Sequence, residues 1–182
     1  MGWQDIEGWF SPQDAEFVQN ICKTVHDGIV VELGFFAGRG TAVLAPICKK
    51  NDNIFHAVDN CAGACPRDPA TKAQQSRDML KVFKDNMRKL GLLDDIHVHV
   101  SDSALAAQMF KDGEVSFCFI DASHVEDDVR RDIETWWPKI KVGGTLAGHD
   151  WTWGSIKNAV GDFVSSHQLK LVASGNCWKM TK

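Results

Sequence analysis

"VVELGFFAGRG" (residues 30–40) decides how this chain is read. A short apolar run, broken only by Glu32, stops at Gly34, and Gly38 and Gly40 follow before a helix. That is the first turn of an α/β unit, where glycine permits tight turning and close approach of backbone to a ligand. The spacing is G-x3-G-x-G, unlike the G-x-G-x-x-G of dinucleotide sites. Phe36 stands where a second glycine would admit a pyrophosphate. Glu32, just upstream, is also poorly placed beside a phosphate.

Outward from this turn the same alternation recurs. "GIVVELG" (28–34), "NIFHAVD" (53–59), "DIHVHVSD" (95–102), "VSFCFID" (115–121) and "GGTLAGHD" (143–150) are short apolar or β-branched runs. Each ends in glycine or an acid, as buried parallel strands do. Helical periods lie between them. Met79, Leu80, Phe83, Met87 and Leu90 share a face that ends at Gly91; Val125, Val129, Ile133 and Trp136 share another that ends before Pro138. An entry helix is expected from about Pro12 to Val25, with Ser11 as N-cap. Ile156, Val160, Phe163 and Val164 mark a last helix. "LKLVAS" and "NCWKMTK" on either side of Gly175 then read as an antiparallel hairpin. The expected fold is α/β, Rossmann-like and doubly wound, with helices on both faces of a mainly parallel sheet. Residues 1–182 are expected to form one domain, with 1–27 as its helical entry segment.

Ligands of such sheets bind at the carboxyl ends of the strands, near the switch in strand order. Five consecutive strands deliver Glu32, Asp59, Asp102, Asp121 and Asp150 to that edge. Asp is a favoured helix N-cap, which would account for Asp102 or Asp121 singly. Five carboxylates at one rim repel one another, so together they suit a cationic or hydroxyl-rich ligand. Asp59, 25 residues after Gly34, suits the hydroxyls of a ribose. A phosphate-free, positively charged, ribose-bearing cofactor fits better than NAD, and S-adenosylmethionine has an amine, a sulfonium and a ribose.

Composition narrows the partners. The balance of 20 basic against 24 acidic residues gives a net charge of −4, which argues against a nucleic-acid surface. No apolar run approaches the ~18 residues of a membrane span, and the N-terminus lacks a signal pattern, so a cytoplasmic protein is expected. Six cysteines are scattered, with only Cys61 and Cys65 close, and no second pair completes a zinc set.

With these pieces in order, the chain resembles the class I S-adenosylmethionine-dependent methyltransferases. More narrowly, it resembles a small bacterial branch of sugar and natural-product O-methyltransferases, the family 24 type. "GWFSPQDAEFV" is similar to the entry helix of that branch, "VVELGFFAGRGTAVLA" to its cofactor loop and "FHAVD" to its ribose strand. "FKDNMRKLGLLDDIHVHVSDS" resembles its third-strand unit. "FIDASHVEDDVRRDIETWWPKIKVGGTLAGHDW" resembles its fourth and fifth strands. The resemblance implies a seven-stranded sheet whose last strand is antiparallel. It implies that Glu32 and Gly34 hold the methionine end of S-adenosylmethionine, Asp59 the ribose, and Asp102 with Ser103 the adenine side, with Asp121 on the site floor. Phe35, Gly38 and Asn60 are expected to complete the cofactor site.

Some relatives bind a divalent metal through an acid ending strand four and two adjacent residues ending strand five, here Asp121, His149 and Asp150. Magnesium or manganese would be the ion, and imidazole favours manganese, iron or zinc over magnesium. A metal-free site, with Asp150 bonded to a strand or helix end, is the alternative. The branch often shows Asp-Gly-Asp-His after strand four, where this chain has Asp121-Ala122-Ser123-His124. Ser123 cannot serve as base at neutral pH, so the catalytic expectation falls on Asp121 with His124 or His149. Trp151 and Trp153 are expected to wall an acceptor pocket, and residues 60–71 to form a lid. The acceptor is expected to be a small molecule, and a second subunit could complete its pocket. O-methylation is the leading expectation. N-methylation, an oxidoreductase on the same fold and a non-catalytic cofactor-binding protein remain as alternatives.

Overall fold

The computed structural model describes residues 1–62 and 78–182. Most of the expected lid segment, and Cys65, therefore lie outside the described residues. Seven strands form one sheet: β1 (Ile29–Leu33), β2 (Ile54–Asp59), β3 (His97–Val100), β4 (Val115–Ile120), β5 (Ile140–Gly148), β6 (Leu171–Ser174) and β7 (Cys177–Thr181). Their order is β3-β2-β1-β4-β5-β7-β6. The first five run parallel, and β7 is antiparallel to both β5 and β6.

The sequence explains this layout locally. β4 is buried at every position and has neighbours on both edges and both faces, which is why "VSFCFI" carries no polar alternation. The helices are α1 (Pro12–Cys22), α2 (Thr41–Lys50), α3 (Met79–Leu90), α4 (Ser103–Ala106), α5 (Glu126–Trp136) and α6 (Gly154–Ser166). α1 stops three residues before the expected Val25. It starts as expected: Ser11 and Asp14 form a reciprocal capping box, with Pro12 in the first turn. α3 ends on Gly91 in the left-handed conformation (φ 67°).

Side chains of α1, α2 and α3 pack on one sheet face with Phe55, Phe117 and Phe119. Those of α4, α5 and α6 pack on the other with Cys118, Leu146 and Trp178. Each large side chain sealed in these layers contributes about 1.5–3 kcal/mol over its exposed state. β1 lies between β2 and β4, so the winding reverses there and the two chain crossovers leave a crevice at the ends of β1 and β4.

Candidate active site

The carboxyl ends of the parallel strands open into a cleft of about 680 Å3. The turn after β1 forms its base. A Cβ on Gly34 would lie 2.1 Å from the carbonyl oxygen of Asp121, and φ there is +91°. Gly38 has φ +94°, and a Cβ would lie 2.6 Å from Met87 Cε on α3. These glycines are required first by the chain's own packing, and only Gly34 of the two borders the cleft. Phe36, without that freedom, still takes φ +43°, a conformation costing a non-glycine residue about 1–2 kcal/mol. Its N–H donates to Asp59 Oδ2 at 2.9 Å, and the Cys61 N–H donates to Oδ1 at 2.7 Å. Asp59 is thereby fixed with both oxygens anchored at the end of β2. Burial raises its carboxyl above the usual range; these backbone donors oppose that rise, and Asp121 adds to it.

Glu32 sits behind this floor. It is buried, accepts a hydrogen bond from the Thr41 hydroxyl and does not border the cleft. Gly40 makes room for it, since a Cβ there would lie 2.5 Å from Glu32 Oε1. Burial pushes the Glu32 carboxyl up to about 8, against the Thr41 bond and with help from Asp121 and Asp59. Phe35 borders the cleft while packing on Phe83, and Asn60 borders it at the exit of β2.

Asp102 and Ser103 reach the cleft from the start of α4. Asp102 is also that helix's N-cap, accepting from the N–H groups of Ala104 (3.0 Å) and Leu105 (3.3 Å), and it pairs with Arg131 at 3.1 Å. Ser103 donates to Asp132, whose carboxyl burial pushes up to about 6. At the start of α5 the polar partner is Ser123, which accepts from Val125 N–H and donates to Asp128 at 2.7 Å. Asp121 is thus released from the capping role the sequence also allowed.

Asp121, His149 and Asp150 converge. Their ligand atoms lie within 4.8 Å of one another, with His149 Nδ1 3.4 Å from Asp121 Oδ1 and 3.3 Å from Asp150 Oδ1. Donors that share one ion at bonds near 2.0–2.2 Å stand about 3 Å apart, so this set fits a divalent cation. Burial opposes a charge on His149, but Asp121 and Asp150 lift its pKa to about 11. A cation would compete with the Nδ1 proton. Asp150 is in the left-handed conformation (φ 58°), which turns its carboxylate toward both histidines. His124 Nε2 lies 2.6 Å from Asp150 Oδ2, and its ring stacks on Trp153 at 4.7 Å. The bond to Asp150 raises the His124 pKa; Asp121 adds to this, and burial and His149 oppose it. Burial favours the neutral Asp150 carboxyl, yet the two histidines hold it well below the usual range.

Sequence reasoning missed three contributors. Asp14 approaches His149 from α1, and Asn176 in the β6–β7 turn donates to Asp150 Oδ1 at 3.2 Å. Arg39 borders the cleft, its guanidinium bonded to the carbonyls of Ile6 and Gly8, while its buried Nε has no acceptor among the described residues. That donor fits an anionic end of a ligand. None carries a sequence signal: a turn Asn, a helix-start Asp and a loop Arg are all ordinary. Trp153 borders the cleft, with Trp9 opposite the glycine turn on Phe36. Trp151 is not part of the cleft lining and packs against the α5–α6 face.

Sheet order and cleft together define a Rossmann-like protein that takes its ligand at the switch point. The family model described as a methyltransferase domain matches residues 31–151, more than half of the chain, and the chain belongs to that family of enzymes. Solved structures agree on the fold. The O-methyltransferase NovP is 14% identical with a TM-score of 0.76, over 93% of this chain and 79% of its own. An S-adenosylmethionine-dependent O-methyltransferase from Thermotoga maritima is 18% identical with a TM-score of 0.66, over 98% and 68%. A protein described as precorrin 8w decarboxylase from Methanobacterium thermoautotrophicum is 13% identical with a TM-score of 0.69, over 100% and 96%. Its different description marks these likenesses as evidence of fold.

Proposed function

We propose that this methyltransferase moves a methyl group from S-adenosylmethionine to a hydroxyl oxygen of a small molecule. The observation that carries this reading is Asp59. It is a rigid carboxylate with both oxygens anchored, at the floor of an acid-rimmed cleft whose turn carries Phe36 where a phosphate would need glycine. The oxygen acceptor is supported by the O-methyltransferases among its structural neighbours.

Asp59 and Asn60 take the ribose hydroxyls, Asp102 and Ser103 the adenine side, and Gly34, Phe35 and Asp121 the methionine end. Arg39 offers its free Nε–H to the carboxylate of that end. Glu32 and Gly38 act from behind, Glu32 by holding Thr41 at the start of α2 and Gly38 by admitting α3 against the turn. The cofactor supplies an electrophilic methyl on sulfur. The chain's part is mainly to orient the acceptor oxygen toward it, an effect worth ~7–11 kcal/mol. His124, held by Asp150 on Nε2, takes the acceptor proton on its other nitrogen, a ~100- to 10,000-fold effect. A divalent cation held by Asp121, His149 and Asp150 would lower the pKa of an acceptor hydroxyl.

Trp9 and Trp153 are the aromatic walls available to the acceptor, and a second copy of the chain completes the open side. Size-exclusion chromatography that gives a fully active monomer would sink that last point. Free thiols at Cys22, Cys48, Cys61, Cys118 and Cys177 agree with a reducing, cytoplasmic setting. The test of function is transfer of labelled methyl from S-adenosylmethionine to a panel of phenols, sugar hydroxyls and amines, with and without chelator. Label entering hydroxyl acceptors is expected. Label entering amines alone, or no turnover by a chain that binds the cofactor, would overturn the assignment.

A further inference from the structure

The three carboxylates around His149 divide between its two nitrogens. Asp121 and Asp150 face Nδ1 on the cleft side, and Asp14 Oδ2 lies 3.3 Å from Nε2 on the side of α1. Asp14 is 3% exposed and His149 5%, so water does not compete for this contact. Asp14 is itself fixed. Its Oδ2 accepts from Ser11 N–H at 2.8 Å, and its Oδ1 accepts from the Cys177 thiol at 3.7 Å. Phe10 packs its ring 5.3 Å from the imidazole.

A neutral imidazole carries one proton, and it can ligate through Nδ1 only when that proton sits on Nε2. The second neighbour of Nε2 is the Asn176 amide nitrogen, 3.4 Å away, a donor that would favour the opposite tautomer. Asn176 Oδ1 accepts from Thr152, which keeps the amide nitrogen on the histidine side. Once a cation takes the place of the Nδ1 proton, the carboxylate of Asp14 decides the contest in favour of a proton on Nε2, as outer carboxylates do for metal-ligating histidines.

We infer that Asp14 is a positioning residue that holds a proton on His149 Nε2, so that Nδ1, which faces the cleft, is the nitrogen whose proton a cation would displace, making the entry helix α1 part of the divalent-cation site. This rests on the proposal that Asp121, His149 and Asp150 hold a cation. Asp14 touches neither acceptor nor cofactor in this account.

The test is Mn2+ binding to the full chain, measured by loss of the free-ion resonance signal, together with melting of the metal-free protein. Four forms are compared: the unmodified chain, Asp14→Asn, Ser11→Ala and Asp121→Asn. The unmodified chain should bind one Mn2+, and Asp121→Asn should lose it. Asp14→Asn should weaken binding by ~10- to 100-fold, because an amide can donate to Nε2 and force the proton onto Nδ1. Ser11→Ala removes the cap hydroxyl without touching His149, so it should lower the melting temperature and leave Mn2+ affinity unchanged. Equal affinity in Asp14→Asn and the unmodified chain would overturn the inference. So would equal weakening by Asp14→Asn and Ser11→Ala, which would make the effect one of stability alone. Absence of Mn2+ binding in the unmodified chain would remove the cation proposal, and this inference with it.

Discussion

At the scale of single residues, Glu32 and His124 carry opposite lessons. The resemblance assigns Glu32 to the methionine end of the cofactor, yet the side chain is sealed under the glycine turn against Thr41. Its carboxyl is raised from 4.5 to about 8 by burial, so the folded state holds the proton more tightly than the unfolded chain. Stability from this group is full below about 4.5 and is lost as pH rises toward about 8, at up to about 1.4 kcal/mol per pH unit. Glu32→Gln should therefore flatten the denaturation midpoint between pH 5 and pH 8 (on the order of that window) and leave the variant more stable than the parent at the alkaline end. Parallel curves would show that Glu32 is ionised throughout.

In "DASH" Ser123 stands where relatives often carry a second acid, which leaves His124 or His149 as the expected base, and His124 does reach Asp150 and the cleft. A base must be unprotonated, and Asp150, Asp121 and His149 all face it, with a net upward shift. Turnover should accordingly rise with pH through a value above the ordinary imidazole range. His124→Ala should lower kcat ~100-fold or more with KM little changed, and should abolish that rise. A kcat loss below about tenfold would move the proton transfer to another group. Asp14 and Asn176 were illegible for a physical reason: their meaning depends on contacts with residues far off in sequence, His149 and Cys177 for Asp14, His149 and Asp150 for Asn176, which no local pattern encodes.

At the scale of elements, the strands were legible because a parallel sheet covered on both faces demands largely apolar runs, and β1 and β4 come nearest to that pattern. α4 was not, since four residues capped by Asp102 have no helical period to read. β7 braces the site from outside the parallel part of the sheet, with Trp178 Nε1 donating to the His149 carbonyl at 3.2 Å. That ring lies on Gly148, where a Cβ would meet Trp178 Cζ2 at 2.4 Å. Gly148→Ala should force β5 and β7 apart, at a cost of about 1–3 kcal/mol. In a domain of this size that lowers the melting temperature by roughly 2–4 °C per kcal/mol. Calorimetric melting checks it, and an unchanged midpoint would mean that Trp178 moves aside freely.

At the scale of the molecule, one sheet collects acids from separate strands onto one rim, and the sequence discloses this because each of the five parallel strands carries an acid at or just beyond its carboxyl end. What the sequence could not disclose is which acids face the cleft. Asp59, Asp102, Asp121 and Asp150 do, whereas Glu32 lies behind the turn. A ligand matched to that rim binds only the folded chain and should stabilise it, by about 2.7 kcal/mol at a concentration of 100 times Kd. The most direct test is calorimetric titration with S-adenosylmethionine, S-adenosylhomocysteine and NAD, on the parent chain and on Asp59→Ala. Saturable binding of the first two, absence of binding by NAD, and loss of both sulfur ligands in Asp59→Ala are predicted. Binding of NAD with no heat from either sulfur ligand would contradict the account.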